Sequence, residues 1–164
     1  MIRLIAAMDK QLGIADEHGI PWQGKIPLDT MRFHEKTANG IIVMGFATYK
    51  EYDKPLHERQ NFVVARPDSG ELRTGFVAIP DADQFFDRHA NEVIGVIGGA
   101  ALFSVTLARA DELVLTQLDA VFHCTKFFPQ AADAFELISD DGPHVENGIT
   151  FRFQTWLRTH SSGR

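Results

Sequence analysis

The amino-acid sequence predicts an α/β fold: one domain built on a central, mixed, mostly parallel sheet flanked by four helices. Two observations predict it. Short, almost continuously apolar runs recur along the chain and alternate with segments of helical character. That is the pattern of strands buried on both faces and joined by crossover helices. Towards the C-terminus, apolar and polar residues alternate on either side of a turn-rich stretch, which is the pattern of an antiparallel hairpin.

The elements follow in order. Residues 2–8, IRLIAAM, form a strand covered on both faces, and LDTMRFHEKTA over 28–38 forms the first helix. A strand at 41–45 (IIVMG) leads into helical residues 46–53, and a third strand follows at 61–65 (NFVVA). Helix 82–90 (ADQFFDRHA), strand 92–99 (EVIGVIGG), helix 100–109 (AALFSVTLAR) and strand 112–118 (ELVLTQL) continue the alternation. AFELIS at 134–139 and ITFRFQTWLR at 149–158 flank DDGPHVENG, expected as a hairpin with a long loop. The domain covers 1–158, and THSSGR at 159–164 is expected as a flexible tail. No repeat, low-complexity segment or linker divides the chain.

With 45% hydrophobic and 23% charged residues over 164 positions, the composition is that of a globular protein with one core. Sixteen Lys and Arg against 22 Asp and Glu give a net charge of -6 with no basic run, which argues against nucleic-acid or anionic-membrane partners. No run approaches the roughly 20 apolar residues of a spanning helix, and the first residues lack the features of a secretory signal, so a cytoplasmic location is expected. Cys124 is the only cysteine, which rules out an internal disulfide.

Phosphate-binding GxxxxGK[ST], GxGxxG, HExxH, GxSxG and paired CxxC motifs are all missing, and the seven histidines do not fall at metal-ligand spacing, so no metal is expected. The chemistry is left to strand-to-helix junctions. Gly98-Gly99 ends one buried strand and Gly45 another, each just before a helix. Glycines let a backbone approach a ligand closely, and the free amides of two helix starts at one sheet edge suit a dinucleotide pyrophosphate. A tight packing turn is the plainer reading of each. In IPWQGKIPLD, Asp29 opens the first helix behind Pro21, Trp22 and Pro27, and Phe33 lies four residues on, on the same face. A carboxylate beside an aromatic ring suits a protonatable heterocycle; a charge favouring the helix dipole is the alternative.

Taken together, the opening strand with Ile5, Ala6 and Ala7, Pro21-Trp22, PLDTMRFHEKT with Asp29, Phe33 and Thr37, VMGFATYKEY, PLHERQNFVVAR with Arg59, VIGGAALF and LVLTQLDA with Thr116 resemble the dihydrofolate reductase family over residues 1–158. The resemblance implies an eight-stranded sheet, mostly parallel with an antiparallel C-terminal strand. It implies hydride transfer from NADPH to C6 of 7,8-dihydrofolate with a proton delivered to N5, in the service of one-carbon metabolism, and antifolate inhibitors as further ligands of a monomer. Asp29 would be the ionisable group of the pteridine pocket, Thr116 would bond to it, and Trp22 would hold an ordered water nearby. Ile5, Ala6, Ala7, Phe33, Tyr52 and Ile97 would surround the ring, and Arg59 would pair with the α-carboxylate of the glutamate tail.

On the cofactor side the resemblance implies Gly98, Gly99 and Ala100 at the pyrophosphate and Thr48 at the neighbouring helix start. Ala7, Ile97, Leu102 and Phe103 would complete that surface, with Ile14 and Ile20 on a mobile loop over 9–20. The 2'-phosphate end departs from the family's pattern. Phe46 follows Gly45 where a basic residue is usual, Ala101 stands in another basic position, Ala65 replaces a Ser or Thr, and only Arg66 remains for the phosphate. NADH use is therefore left open. Thr125 stands where the family has an Asp that supports the mobile loop, and Ala15 replaces a glycine within it. Two other readings are a pyrimidine reductase of riboflavin synthesis with the same fold, and a catalytically weak folate- or nucleotide-binding protein.

Overall fold

The computed structural model describes residues 1–131 and 133–160. Eight strands form one sheet in the order β5-β4-β3-β6-β1-β7-β10-β9. β1 (Ile2–Met8), β3 (Ile41–Gly45), β4 (Gln60–Val64), β5 (Phe76–Ile79), β6 (Ile94–Val96) and β7 (Glu112–Leu118) run parallel, and β9 (Phe135–Glu146) and β10 (Ile149–Arg158) form the antiparallel end. β2 (Gly13–Ala15) and β8 (Lys126–Phe127) pair as a small separate sheet. Four α-helices flank the sheet among the described residues: α1 (Pro27–Thr37), α2 (Phe46–Tyr49), α3 (Ala82–Arg88) and α4 (Ala100–Thr106).

Successive strand side chains point to opposite faces, and the two faces are used differently. Ile2, Leu4 and Met8 of β1 join Val43, Val96, Leu113 and Leu115 in a large core under α3 and α4, which add Phe85, Phe86, Leu102 and Phe103. The other face carries two smaller clusters. One holds Ile42, Met44, Tyr49, Val63 and Phe76, and the other Trp22, Ile26, Leu118, Ile149 and Phe151. Ile5 and Ala7 of β1 and Val114 and Thr116 of β7 face the gap between those clusters, where the sheet floors a cavity.

Several elements differ from the sequence expectation. The hairpin has no long loop: β9 runs through the whole DDGPHVE stretch to Glu146, and the connection is Asn147-Gly148, with φ of 49° and 76°. Asn-Gly with both φ positive is the two-residue turn that matches strand twist. Pro143 does not end the strand, because β9 is an edge strand and the ladder shifts register between Phe151 and Phe153, opposite Gly142 and Pro143. The helical run at 46–53 shortens to α2, and 100–109 divides into α4 and a 3-10 turn over Leu107–Arg109. β5, β2 and β8 were not legible as strands. Of the expected tail, residues 161–164 lie outside the described residues, whereas the amide and hydroxyl of Thr159 donate to the Ala134 carbonyl at 2.9 and 3.2 Å.

Candidate active site

Asp29 stands in the first turn of α1, which begins with Pro27, a residue whose missing N-H and preset φ suit a helix start. The amide of Leu28 donates to Oε1 of Glu146 at 2.9 Å, so a carboxylate from the end of β9 meets this helix start. Asp29 is left to turn towards β7, where Oγ1 of Thr116 donates to its Oδ1 at 2.5 Å. Burial pushes the Asp29 carboxyl above its ordinary value of 3.8; the Thr116 hydroxyl and Arg32 pull it down without cancelling that effect, and Glu146 adds to the rise.

Arg32 is one turn along the same helix face. Its guanidinium donates to the carbonyl of Leu115 at 2.8 Å and of Gln154 at 3.1 Å, and lies 4.7 Å from the centre of the Phe153 ring. A cation is thereby built into the wall behind Asp29 by β7 and β10. Sequence reasoning missed it, because an arginine on a helix is usually solvated; its three-residue spacing from Asp29 was the available signal.

A cavity of about 300 Å³ opens in front of Asp29. Ile5, Ala6, Ala7, Trp22, Phe33, Tyr52, Ile97 and Thr116 line it with Asp29, so the expected substrate-side residues other than Arg59 are brought together. Arg32, His34, Leu56 and Val114 also line it and were not singled out from the sequence. Trp22 is almost fully buried, its ring edge-on to Phe122 at 5.0 Å. Arg59 lies outside the lining but beside it. Nε donates to Oγ1 of Thr37 at 3.2 Å, Nη1 to the His57 carbonyl at 2.6 Å and Nη2 to the His34 carbonyl at 2.8 Å. These bonds hold the fork in one orientation near the cavity wall at His34.

A second, longer cavity of about 810 Å³ adjoins the first, sharing Ile5, Ala6, Ala7, Ile20, Tyr52 and Ile97. It runs along the carboxyl ends of β3 and β6 to the starts of α2 and α4, lined by Gly45, Phe46, Thr48, Gly98 and Gly99 and then by Ala100, Ala101, Leu102 and Phe103. Ile14, Ala15, His18 and Gly19 close it from the 9–20 segment, with Lys126, the strand partner of Ala15, beside them. The glycines have little room. The Gly45 amide donates to the Gly98 carbonyl at 2.6 Å, and a Cβ on Gly99 would lie 3.3 Å from Oγ1 of Thr48. The Gly98-Gly99 bond is cis. Of the residues expected at the cofactor, Ala65 and Arg66 stand outside this lining: Ala65 is packed in the Tyr49 cluster, and Arg66 is exposed ahead of a 3-10 turn. Among the described residues no three His, Cys, Asp or Glu side chains gather as a metal site, and no helix is long and apolar enough to cross a membrane.

Comparison with known proteins adds four findings. A family described as Dihydrofolate reductase matches residues 1–158. The chain is 30% identical over 165 residues to the dihydrofolate reductase of Bacillus subtilis, covering 99% of this chain and 97% of that protein. It is also 28% identical over 162 residues to a protein named segregation and condensation protein A from Mycoplasma pneumoniae, covering 98% of this chain but 31% of that protein, so the chain spans about a third of that relative's length. In fold it is similar to the dihydrofolate reductase of Enterococcus faecalis complexed with NADP(H) and RAB-propyl, at a TM-score of 0.88 and 23% identity, covering 98% and 97% of the two chains.

Proposed function

The chain belongs to the dihydrofolate reductase family, and from that premise we propose that it reduces 7,8-dihydrofolate to tetrahydrofolate with NADPH. The observation that carries this is the Asp29 carboxylate, backed by Thr116 and Arg32, at the base of an apolar cavity that opens into a longer, glycine-lined one. The substrate ring fits the smaller cavity, and the dinucleotide fits the larger, whose glycine backbone leaves space for phosphates at two helix starts. When bound, the reduced nicotinamide supplies the hydride that adds to C6, and a proton completes the reduction at N5.

The chain's own groups do the rest. Asp29 accepts hydrogen bonds from the amino group and adjacent N-H of the ring, and its raised carboxyl value lets it hold a proton where an exposed aspartate would not. Thr116 keeps that carboxylate turned to the ring. Phe33, Ile5 and Ile97 exclude water around the reacting bond, which strengthens the pairing inside. A single cysteine suits a reducing compartment, and a cytoplasmic enzyme follows from that reading. Trp22 and Asp29 at the cavity and Arg59 beside it favour dihydrofolate over the pyrimidine-reductase alternative.

Initial rates of reduced-nicotinamide absorbance loss test the reading. Dihydrofolate-dependent turnover with NADPH is expected; no turnover with either NADPH or NADH, despite folate binding, overturns it in favour of the binding-protein alternative. Run side by side, the two nucleotides also measure what Phe46, Ala65 and Ala101 do to 2'-phosphate recognition. The tail contact has its own test. Arg59→Lys replaces a planar fork with a point charge, so KM for dihydrofolate is expected to rise about tenfold with kcat nearly unchanged. A reduced pterin lacking the glutamate tail should be turned over equally by parent and variant, and equal losses for both compounds would remove Arg59 from tail recognition.

A further inference from the structure

Asp9 follows directly on β1 with 1% of its surface exposed, in a place the reduction chemistry does not use. Its Oδ1 accepts the amides of Gln11 and Gly13, each at 2.8 Å, and its Oδ2 accepts the amide of Phe122 at 2.9 Å. Cys124 stands beside this carboxylate across Gly13. One side chain therefore joins two segments far apart in sequence, the 9–20 segment and the stretch around 120–128. The joint is closely packed: a Cβ on Gly13 would stand 2.6 Å from Cβ of Cys124 and 2.9 Å from Oδ1 of Asp9. Both segments end in the wall of the larger cavity, one through Ile14, Ala15 and Gly19 and the other through Lys126.

We propose that Asp9 is a positioning residue for the reduction: its buried carboxylate clamps the 9–20 segment onto the 120–128 stretch and so sets that wall of the larger cavity. This rests on the reductase reading above, with the larger cavity taking the nicotinamide nucleotide. The chemistry calls for a carboxylate. Three backbone donors converge on it, two on one oxygen and one on the other, and only a group with two acceptor oxygens meets them all. An asparagine of the same shape offers one oxygen, and its NH2 must face either Phe122 N-H or the Gln11 and Gly13 pair, donor against donor.

The test is Asp9→Asn, read against the parent in two ways that fail separately. In steady state, kcat per active site, with sites counted by titration with a tight-binding inhibitor, is expected to fall about tenfold while KM for dihydrofolate changes less than threefold; counting the sites separates this from a loss of folded protein, which would also lower apparent kcat at constant KM. Independently of turnover, NADPH dissociation followed by stopped-flow fluorescence is expected to quicken about tenfold, with faster hydrogen exchange at Gln11, Gly13 and Phe122. If the parent itself is inactive, the reductase reading fails, and nucleotide release and exchange still decide the role of Asp9. If Asp9→Asn does not fold, Gly13→Ala disturbs the same joint from the other side and is expected to give the same kcat loss and faster release. Parent-like kcat and nucleotide release in whichever variant folds would overturn the proposal.

Discussion

Asp29→Asn is expected to lower dihydrofolate turnover roughly 10²- to 10⁴-fold, the usual range for loss of a group that supports proton transfer, or about 2.7–5.5 kcal/mol of barrier. The substitution keeps shape and a Thr116 partner but removes the charge and the proton. The pH dependence gives a second readout. Burial raises the Asp29 carboxyl above 3.8, so the protonated form is present at higher pH than an exposed aspartate allows. The parent's kcat/KM should therefore climb as pH falls through that raised value, and the climb should be missing in the variant. For stability the sign is fixed by linkage: a carboxyl raised in the folded state stabilises below its unfolded value, and that contribution is lost as pH rises through the folded value. Free Asp29→Asn protein should consequently melt no lower than the parent at neutral pH. A variant as active as the parent, measured by nicotinamide absorbance, would take Asp29 out of the reaction.

Gly98→Ala is expected to weaken nucleotide binding at least tenfold. Gly98 has φ of +120°, a region closed to ordinary side chains, and a Cβ there would meet the Phe103 ring at 3.4 Å and Oγ1 of Thr48 at 3.7 Å. Relaxing the strain, of order 1–3 kcal/mol, means rotating the backbone whose carbonyl accepts the Gly45 amide at 2.6 Å. That displaces Gly99 and the start of α4 from the start of α2, which it touches at the lining of the larger cavity. The melting temperature should drop by several degrees, while KM for dihydrofolate, bound on the other side of Ile97, changes little. Fluorescence titration with NADPH checks this, and undiminished affinity would place the phosphates elsewhere.

The sheet was legible because β1, β3, β4, β6 and β7 are buried on both faces and so read as unbroken apolar runs. β5 was not: it is a four-residue edge strand with only Phe76 and Ile79 buried, too short to carry a period. The continuation of β9 was hidden by Gly142-Pro143, which reads as a stop until a bulge on an edge strand absorbs it, although Asn147-Gly148 did announce a tight turn. At the site, a carboxylate and an aromatic ring on one helix face were visible from spacing alone. Thr116 entered through family resemblance, since a threonine inside a strand carries no mark of its partner 87 residues away. Arg32 and Asp9 were missed for a shared reason. A charged residue is read as solvated unless something shows that the fold will surround it with backbone groups, and here those groups come from β7 and β10 in one case and from two loops in the other.

The C-terminal hairpin does more than finish the sheet. Glu146 at its tip meets the start of the helix that carries Asp29, and Gln154 in β10 supplies one of the carbonyls that hold Arg32. Until that hairpin docks, the carboxylate sits on a helix whose amide end is unanchored and whose neighbouring cation is held by β7 alone. The ligand cavity is therefore closed by contacts between the two ends of the chain, Leu28 with Glu146 118 residues apart and Arg32 with Gln154 122 apart, whose loop closure is costly. A chain whose C-terminal hairpin is undocked can therefore hold most of its sheet and still be unable to recognise its substrate.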